Sequence, residues 1–399
     1  MTMPSEPLPR TGARPDAADG LPTVLTNATV VTADSAISGS VVIRDGLIEE
    51  VRQGTIDLPE AVDCDGDLVL PGLVDLHTDN LEGQARPRPG VYWDAVSAAM
   101  AHDGHIASVG ITTVLDSLVV GLRDEDKARH DLLDGLVDAV RDGTRDELFR
   151  IEHFLHLRCE ITDPNLFDRV MPFMQEPRLR LISVMEHTVG QRQFPDEAKY
   201  RELLVKRFGR TEQDVDRQMA LDKEASRTFA PQHRARMAEL ALRHGLPVAS
   251  HDDETLDHVR EAAGLGITIA EFPTTLEAAR AARESGQVVI AGAPNMVRGD
   301  SQAGNVAAAA LAAERLIDVI ASDYVPVALL RAALMLSEGD GAYSLPEAVA
   351  TVTRNPACAV GLDDRGEIRP GARADLIRVR RYGTRPQVRT VWSAGRQVA

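Results

Sequence analysis

The chain has 399 residues, enough at roughly 150 residues per domain for two or three domains or for one large barrel with an appendage. Its 44% apolar and 26% charged residues are ordinary for a globular enzyme, and no apolar run approaches the roughly 20 residues that span a bilayer, which argues against membrane insertion. Lys and Arg number 44 against 61 Asp and Glu, a net charge of -17, so binding of nucleic acid through bulk positive charge is not expected and an anionic substrate would need local arginines.

Residues 1–20 hold Pro4, Pro7, Pro9 and Pro15 among small and charged residues, without the apolar stretch of a signal peptide, and are expected to be a disordered tail. Strand-like patterns follow at Val24–Val31, Ser40–Arg44 and, after a turn at Asp45-Gly46, Leu47–Arg52. A similar texture returns at Gly366–Arg369, Ala374–Arg380 and Val388–Trp392. Two such half-units can complete one β domain, residues 21–66 plus 359–399, only if the segment between them starts and ends in the same place. A closed barrel does so.

The middle, residues 67–358, reads as that barrel. Eight β-branched apolar runs occur at 68–77, 110–116, 150–160, 179–187, 246–251, 267–272, 287–293 and 318–323. Helical patterns separate most of them, among them Asp124–Arg141, Leu276–Glu284 and Asn305–Leu316, which predicts a (β/α)8 barrel capped by a small β-sandwich from both chain ends. The fourth connection is long, with helices expected over Asp196–Ala225 and Pro231–His244; a lid over the site and a solvated insertion are both open readings.

In a barrel the catalytic groups sit at the C-terminal ends of the strands. The first run ends with Asp75, His77 and Asp79 on one face, by the two-residue period of a strand. The third ends with His156, Arg158 and Glu160 on one face, and Leu155, Leu157 and Cys159 toward the helices. His187, His251 and Asp323 end the fourth, fifth and eighth, while Glu186 is turned outward. Clustered carboxylates at a barrel mouth repel one another and are costly to bury, and one or two divalent metals remove that cost. Nitrogen and oxygen ligands without thiolate suit Zn, Mn or Fe, with Zn the first expectation. His130, His233 and His244 read as surface residues; His102, His105, His153 and His258 stay undecided. Cys64, Cys159 and Cys358 form no CxxC pair and give neither a disulfide framework nor a thiolate metal site, in keeping with a reducing cytoplasm.

The run Leu70-Pro71-Gly72-Leu73-Val74-Asp75-Leu76-His77 resembles the amidohydrolase superfamily. His77-Thr78-Asp79-Asn80-Leu81-Glu82, Pro87-Arg88-Pro89-Gly90-Val91, His156-Leu157-Arg158-Cys159-Glu160, Gly190-Gln191-Arg192-Gln193-Phe194, Ser250-His251-Asp252-Asp253, Glu271-Phe272-Pro273-Thr274-Thr275, Gly292-Ala293-Pro294-Asn295 and Ser322-Asp323-Tyr324 narrow it. They resemble, in order from about residue 25 to the C-terminus, the alpha-D-ribose 1-methylphosphonate 5-triphosphate diphosphatase family of phosphonate catabolism.

The resemblance implies metal-dependent hydrolysis that releases pyrophosphate from a phosphorylated riboside, a small-molecule partner. His77, Asp79, Glu160, His187, His251 and Asp323 are the expected metal set, with Asp79 either ligating or orienting. Asp323 is the expected general base, and Arg88, Arg158, Arg192, Asn295 and Arg298 are the expected substrate contacts. Two features depart from the pattern. The superfamily commonly opens with His-x-His, where this chain has Asp79. The loop after the seventh strand typically reads Gly-Gly-Ser-His-Ser-Gly-Asn, and here reads Gly299-Asp300-Ser301-Gln302-Ala303-Gly304-Asn305. Asp300 adds charge where a phosphate contact is expected, which suggests a shifted phosphoriboside substrate; a C–N bond hydrolase on the same metal centre and a non-catalytic barrel are the other rival readings. Oligomeric state stays open, a homodimer among the options.

Overall fold

The computed structural model describes residues 21–399 except 89, 122–126, 194–195, 209–210, 302–303, 339–342 and 384. The tail expected at residues 1–20 lies outside the described residues, as does Gln302.

Eight parallel strands form the barrel wall in sequential order: Leu73–Thr78, Ile111–Val120, Glu152–Glu160, Leu179–Met185, Val248–His251, Ile269–Glu271, Val288–Gly292 and Val319–Ala321. The ladder between the last and first strands is reduced to the bridge Thr78–Asp323, reinforced where Asp323 N–H donates to His77 O at 2.9 Å and Asp79 N–H to Asp323 O at 3.0 Å. The seam of a nearly closed barrel therefore falls on three residues expected at the site, His77, Asp79 and Asp323. Leu155, Leu157 and Cys159 pack outward against Leu133, Leu136 and Val140 of the helix Lys127–Arg145, as the strand period requires. Val74, Leu76, Leu115, Phe154 and Leu181 fill the lower interior, so the barrel is a packed core and only its mouth is open.

The chain ends build a separate sheet in which Leu376–Tyr382 and Arg385–Ser393 pair through Leu68–Pro71 to Thr23–Val31 and Ala36–Arg44. Where a sandwich was expected, the chain ends form one hydrogen-bonded sheet, and Leu25, Val41, Ile48, Val69, Leu376 and Trp392 share its core. One boundary differs from expectation. Leu68–Pro71 belongs to the terminal sheet rather than to the barrel, because the apolar run 68–77 breaks at Gly72, where a Cβ would lie 2.2 Å from Thr112 Oγ1. Only glycine passes between the two sheets here.

The long fourth connection also differs. Its helices are Glu197–Phe208 and Glu212–Arg243, the second running straight through Pro231. An exposed proline removes one backbone bond, and burial of Ala230, Arg234, Met237 and Ala241 on the other face keeps the helix continuous. Of this connection, Gln193 alone lines the central pocket among the described residues, which disfavours the lid reading. Among the described residues no helix is long and apolar enough to cross a membrane.

Candidate metal centre at the barrel mouth

The first strand brings His77 to the mouth beside interior Leu76 because its pairing register shifts between Asp75 and Thr78. Asp79 follows just past the strand end, alternation carries Arg158 and Glu160 to the inner face, and the turns after the strands deliver His187, Asp252 and Asp323. Three of these turns are left-handed at residues other than glycine, with φ of 59° at Asp252, 57° at Phe272 and 55° at Asp323. Such backbone is costly for a phenylalanine above all, and these three residues adopt it at strand ends beside the site.

Three imidazoles share one arrangement. His77 Nδ1 lies 2.7 Å from Glu271 Oε1, His251 Nδ1 2.7 Å from Asp252 Oδ2, and His187 Nδ1 2.9 Å from Glu160 Oε2. An Nδ1–H donated to a carboxylate fixes the tautomer and directs the Nε2 lone pair the other way, the usual support of a metal-ligating histidine. His77 Nε2, His251 Nε2 and Glu271 Oε2 are buried and have no hydrogen-bond partner. Asp79 Oδ1 lies 3.5 Å from His77 Nε2, and Glu271 Oε2 lies 3.8 Å from His251 Nε2. His77, Asp79 and Asp323 form one grouping able to hold an ion, and His187, His251 and Asp252 a second. Orphaned donor atoms of this kind cost free energy unless a cation meets them, so the residues fit a metal.

The electrostatics reflect the carboxylates crowded around these rings. Burial disfavours a charged His77, but the Glu271 carboxylate outweighs it and raises the imidazolium to about 10. Glu271 is fully buried, yet His77 holds its carboxyl well below the usual range. Desolvation opposes the charge of Asp79, and the Arg158 guanidinium at 2.6 Å overcomes it and keeps the carboxylate ionised. Asp323 is pushed upward by burial, with His77 offsetting only part. His156 is different: burial lowers it to about 3, so it is neutral, and its nitrogens lie 3.0 Å from Leu76 O and 3.0 Å from Ser183 Oγ. It props the floor.

The pocket, about 250 Å³, is lined by His77, Asp79, Arg158, His251, Asp323 and the expected contacts Asn295 and Arg298. Glu160 and His187 sit beside it as a pair, and both Glu160 oxygens are engaged, the second by Thr162 Oγ1 at 2.6 Å. Arg88 is exposed and lines an adjoining cleft with Asp79 and Glu82. Arg192 does not reach the pocket. Its buried guanidinium bonds Asp253 Oδ1 at 2.5 Å and His251 O at 3.2 Å, a use that the charge of Asp253 dictates. Asn295 lines the pocket, but its amide holds the following loop through Val306 O and Ala308 N, both at 3.0 Å. Arg298 is paired with Asp300 at 3.2 Å.

Sequence reasoning passed over Glu271 and Asp252 as site residues. Glu271 ends the sixth strand, the rule that located His251, but the apolar run continues to Phe272 and hides the strand end. Phe272 itself packs between the rings of His77 and His251, at 5.0 and 5.5 Å. His233, expected at the surface, is half-buried, its Nδ1 3.0 Å from Ile161 O. His102 and His153, undecided from sequence, flank the buried Asp116 at 2.8 Å each. Glu186 is turned outward to Arg234, as expected.

A parallel barrel with imidazoles and carboxylates ringing its C-terminal mouth and a second sheet from the chain ends defines an amidohydrolase-type hydrolase. The amidohydrolase family model matches residues 180–399. The solved N-acetyl-D-glucosamine-6-phosphate deacetylase from Mycobacterium smegmatis is similar over 94% of this chain and 99% of its own, at a TM-score of 0.63 and 18% identity. A 5-methylcytosine deaminase from Klebsiella pneumoniae gives 0.62 and 16% over 94% of this chain and 97% of its own. In sequence, the alpha-D-ribose 1-methylphosphonate 5-triphosphate diphosphatase of Escherichia coli (strain K12) is 40% identical over 380 residues, 94% of this chain and all of that protein. The chain belongs to the amidohydrolase family, and within it to the family of that diphosphatase. It is a hydrolase of a metal-dependent superfamily, with groupings of His and Asp able to hold metal.

Proposed function

We propose that the protein hydrolyses a phosphoanhydride of alpha-D-ribose 1-methylphosphonate 5-triphosphate, releasing pyrophosphate and leaving a 5-phosphate, within phosphonate catabolism in the cytoplasm. The observation that carries this reading is the 40% identity to the diphosphatase across that protein's whole length. His77, His187 and His251 would hold the metal through Nε2, with Asp79 and Asp323 as carboxylate ligands; Glu271, Glu160 and Asp252 orient the three imidazoles. When bound, divalent metal, Zn first, supplies positive charge that acidifies water and neutralises phosphoryl oxygens. Asp323, at the seam and facing the pocket, accepts the proton of the attacking water. Arg158, held by Asp79, and Arg298, at the pocket wall, meet the phosphate chain. Asn295 acts at one remove by fixing the loop that follows it.

A second reading, a preference for a shorter phosphate chain, rests on the Arg298–Asp300 pair, which reduces the charge Arg298 can offer. Product analysis on ribose 5-triphosphates tests both. Pyrophosphate as the released product supports the diphosphatase, and release of single phosphate, or turnover of amides alone, refutes it.

A further inference from the structure

A second polar cavity, of about 290 Å³, lies at the opposite end of the barrel, where the segments leading into strands three and four meet the terminal sheet. Arg150 and Arg178 enter it from the barrel side, Arg373 and Arg396 from the terminal sheet, and His153 forms part of its wall. Two carboxylates share this lining. Glu147 is exposed at the rim. Glu152 already receives three guanidiniums: Arg178 at 3.1 Å, Arg373 at 2.8 Å, and Arg365, from outside the cavity, at 2.6 Å.

Arg373 also gives Nε to Asp375 at 3.0 Å, which leaves nitrogens of Arg150, the guanidinium of Arg396 and one ring nitrogen of His153 as the unengaged donors. Arg150 gives Nη1 to Asp103 at 3.0 Å and has its other side-chain nitrogens unengaged among the described residues; Arg396 has no side-chain partner there. His153 places Nδ1 on Asp116 at 2.8 Å, while its buried Nε2 has no hydrogen-bond partner and only Asp103, at 3.5 Å, nearby. A buried nitrogen left without a partner costs free energy, and the guanidiniums of Arg150 and Arg396 line the same cavity.

We infer that this cavity binds a phosphate-bearing anion at a site separate from the barrel mouth. Planar guanidiniums meet phosphate oxygens in pairs, and the space accommodates a phosphate or a small phosphorylated molecule. An anion held by Arg150 and Arg178 on one side and Arg373 and Arg396 on the other ties the barrel to the terminal sheet. Its binding raises the unfolding temperature through mass action.

The test is calorimetric titration of the metal-loaded protein with inorganic phosphate, with ribose 5-phosphate as a second arm. The wild type is expected to show a phosphate site that Arg396→Ala weakens by about tenfold, in line with loss of a charge-assisted hydrogen bond, while Arg396→Lys retains most of it and kcat/KM of both variants is unchanged. Tighter binding of the sugar phosphate assigns a phosphosugar; equal binding assigns free phosphate. Arg396 supports no other side chain, so its removal leaves the fold intact, and Arg150→Gln gives an independent second variant. The inference is overturned if titrations of wild type and Arg396→Ala superimpose, or if Arg158→Ala at the mouth abolishes all phosphate binding.

Discussion

Two groups of histidines and carboxylates are buried in this molecule, and only one has the character of a metal centre. Between the barrel wall and its helices, Asp116 uses one oxygen on His102 and the other on His153, both at 2.8 Å, and Asp103 with Arg150 completes a row in which charges balance. At the mouth, Asp79, Glu160, Asp252, Glu271 and Asp323 converge on three imidazoles and Arg158, and His77 Nε2 and His251 Nε2 face the pocket unpartnered. Residue type does not separate the two groups, since each qualifies by ligand spacing. Excess negative charge beside an open cavity does.

The comparison breaks or sharpens at four points. The largest expected effect is at the mouth: His251→Ala should lower metal content and reduce kcat by about 10³-fold or more, because a catalytic metal supplies several kcal/mol. Metal analysis of protein purified without chelator, beside Asp116→Asn, checks it. Equal metal loss in both variants would erase the distinction between the groups.

Next comes stability at the second group. Asp116→Asn should cost about 3 kcal/mol, since it leaves a buried imidazolium uncompensated, with metal content unchanged. Burial disfavours a charged His153, but Asp116 raises it from 6.5 to about 9, so its contribution is complete below about pH 6.5 and fades as pH rises through 9. Burial likewise opposes the Asp116 charge, yet His153 and His102 lower its carboxyl from 3.8 to about 2, so that contribution holds above 3.8 and is lost as pH falls through 2. The difference between wild type and variant in urea unfolding should therefore be greatest between these limits, near pH 4 to 6.5, and shrink toward pH 9. A difference that grows with pH would contradict the assignment.

Asp323→Asn follows, with kcat expected to fall by about 10² or more and substrate binding to change far less; a rate near that of the wild type would remove Asp323 from proton transfer. The smallest effect is at the rim. Asp300→Gly frees a partly exposed guanidinium and should raise kcat/KM for a triphosphate over a shorter phosphate by about threefold, the scale of an exposed ion pair. An unchanged ratio would detach the Arg298–Asp300 pair from substrate reading.

Much of this was legible in one dimension. Eight apolar runs separated by helical patterns predict the barrel, and a period of two places His77 with Asp79 and His156 with Arg158 and Glu160, because strand geometry is local and repeats. The rule that chemistry sits at strand ends then isolates His187, His251 and Asp323 without any knowledge of their partners. Outcomes that depend on a partner distant in the chain were not legible. Arg192 has the same composition of signal as Arg158, yet one is locked on Asp253 and the other is held at the pocket by Asp79, 79 residues away. Glu271 reaches His77 across 194 residues, and Leu68–Pro71 leaves the barrel because a strand from the far end of the chain offers its ladder. Periodicity and backbone preference are properties of neighbouring residues, so the sequence alone determined the strands and the faces they present. Which carboxylate is balanced and which is left facing a cavity depends on charges brought together only when the barrel closes, and that the tertiary structure decided.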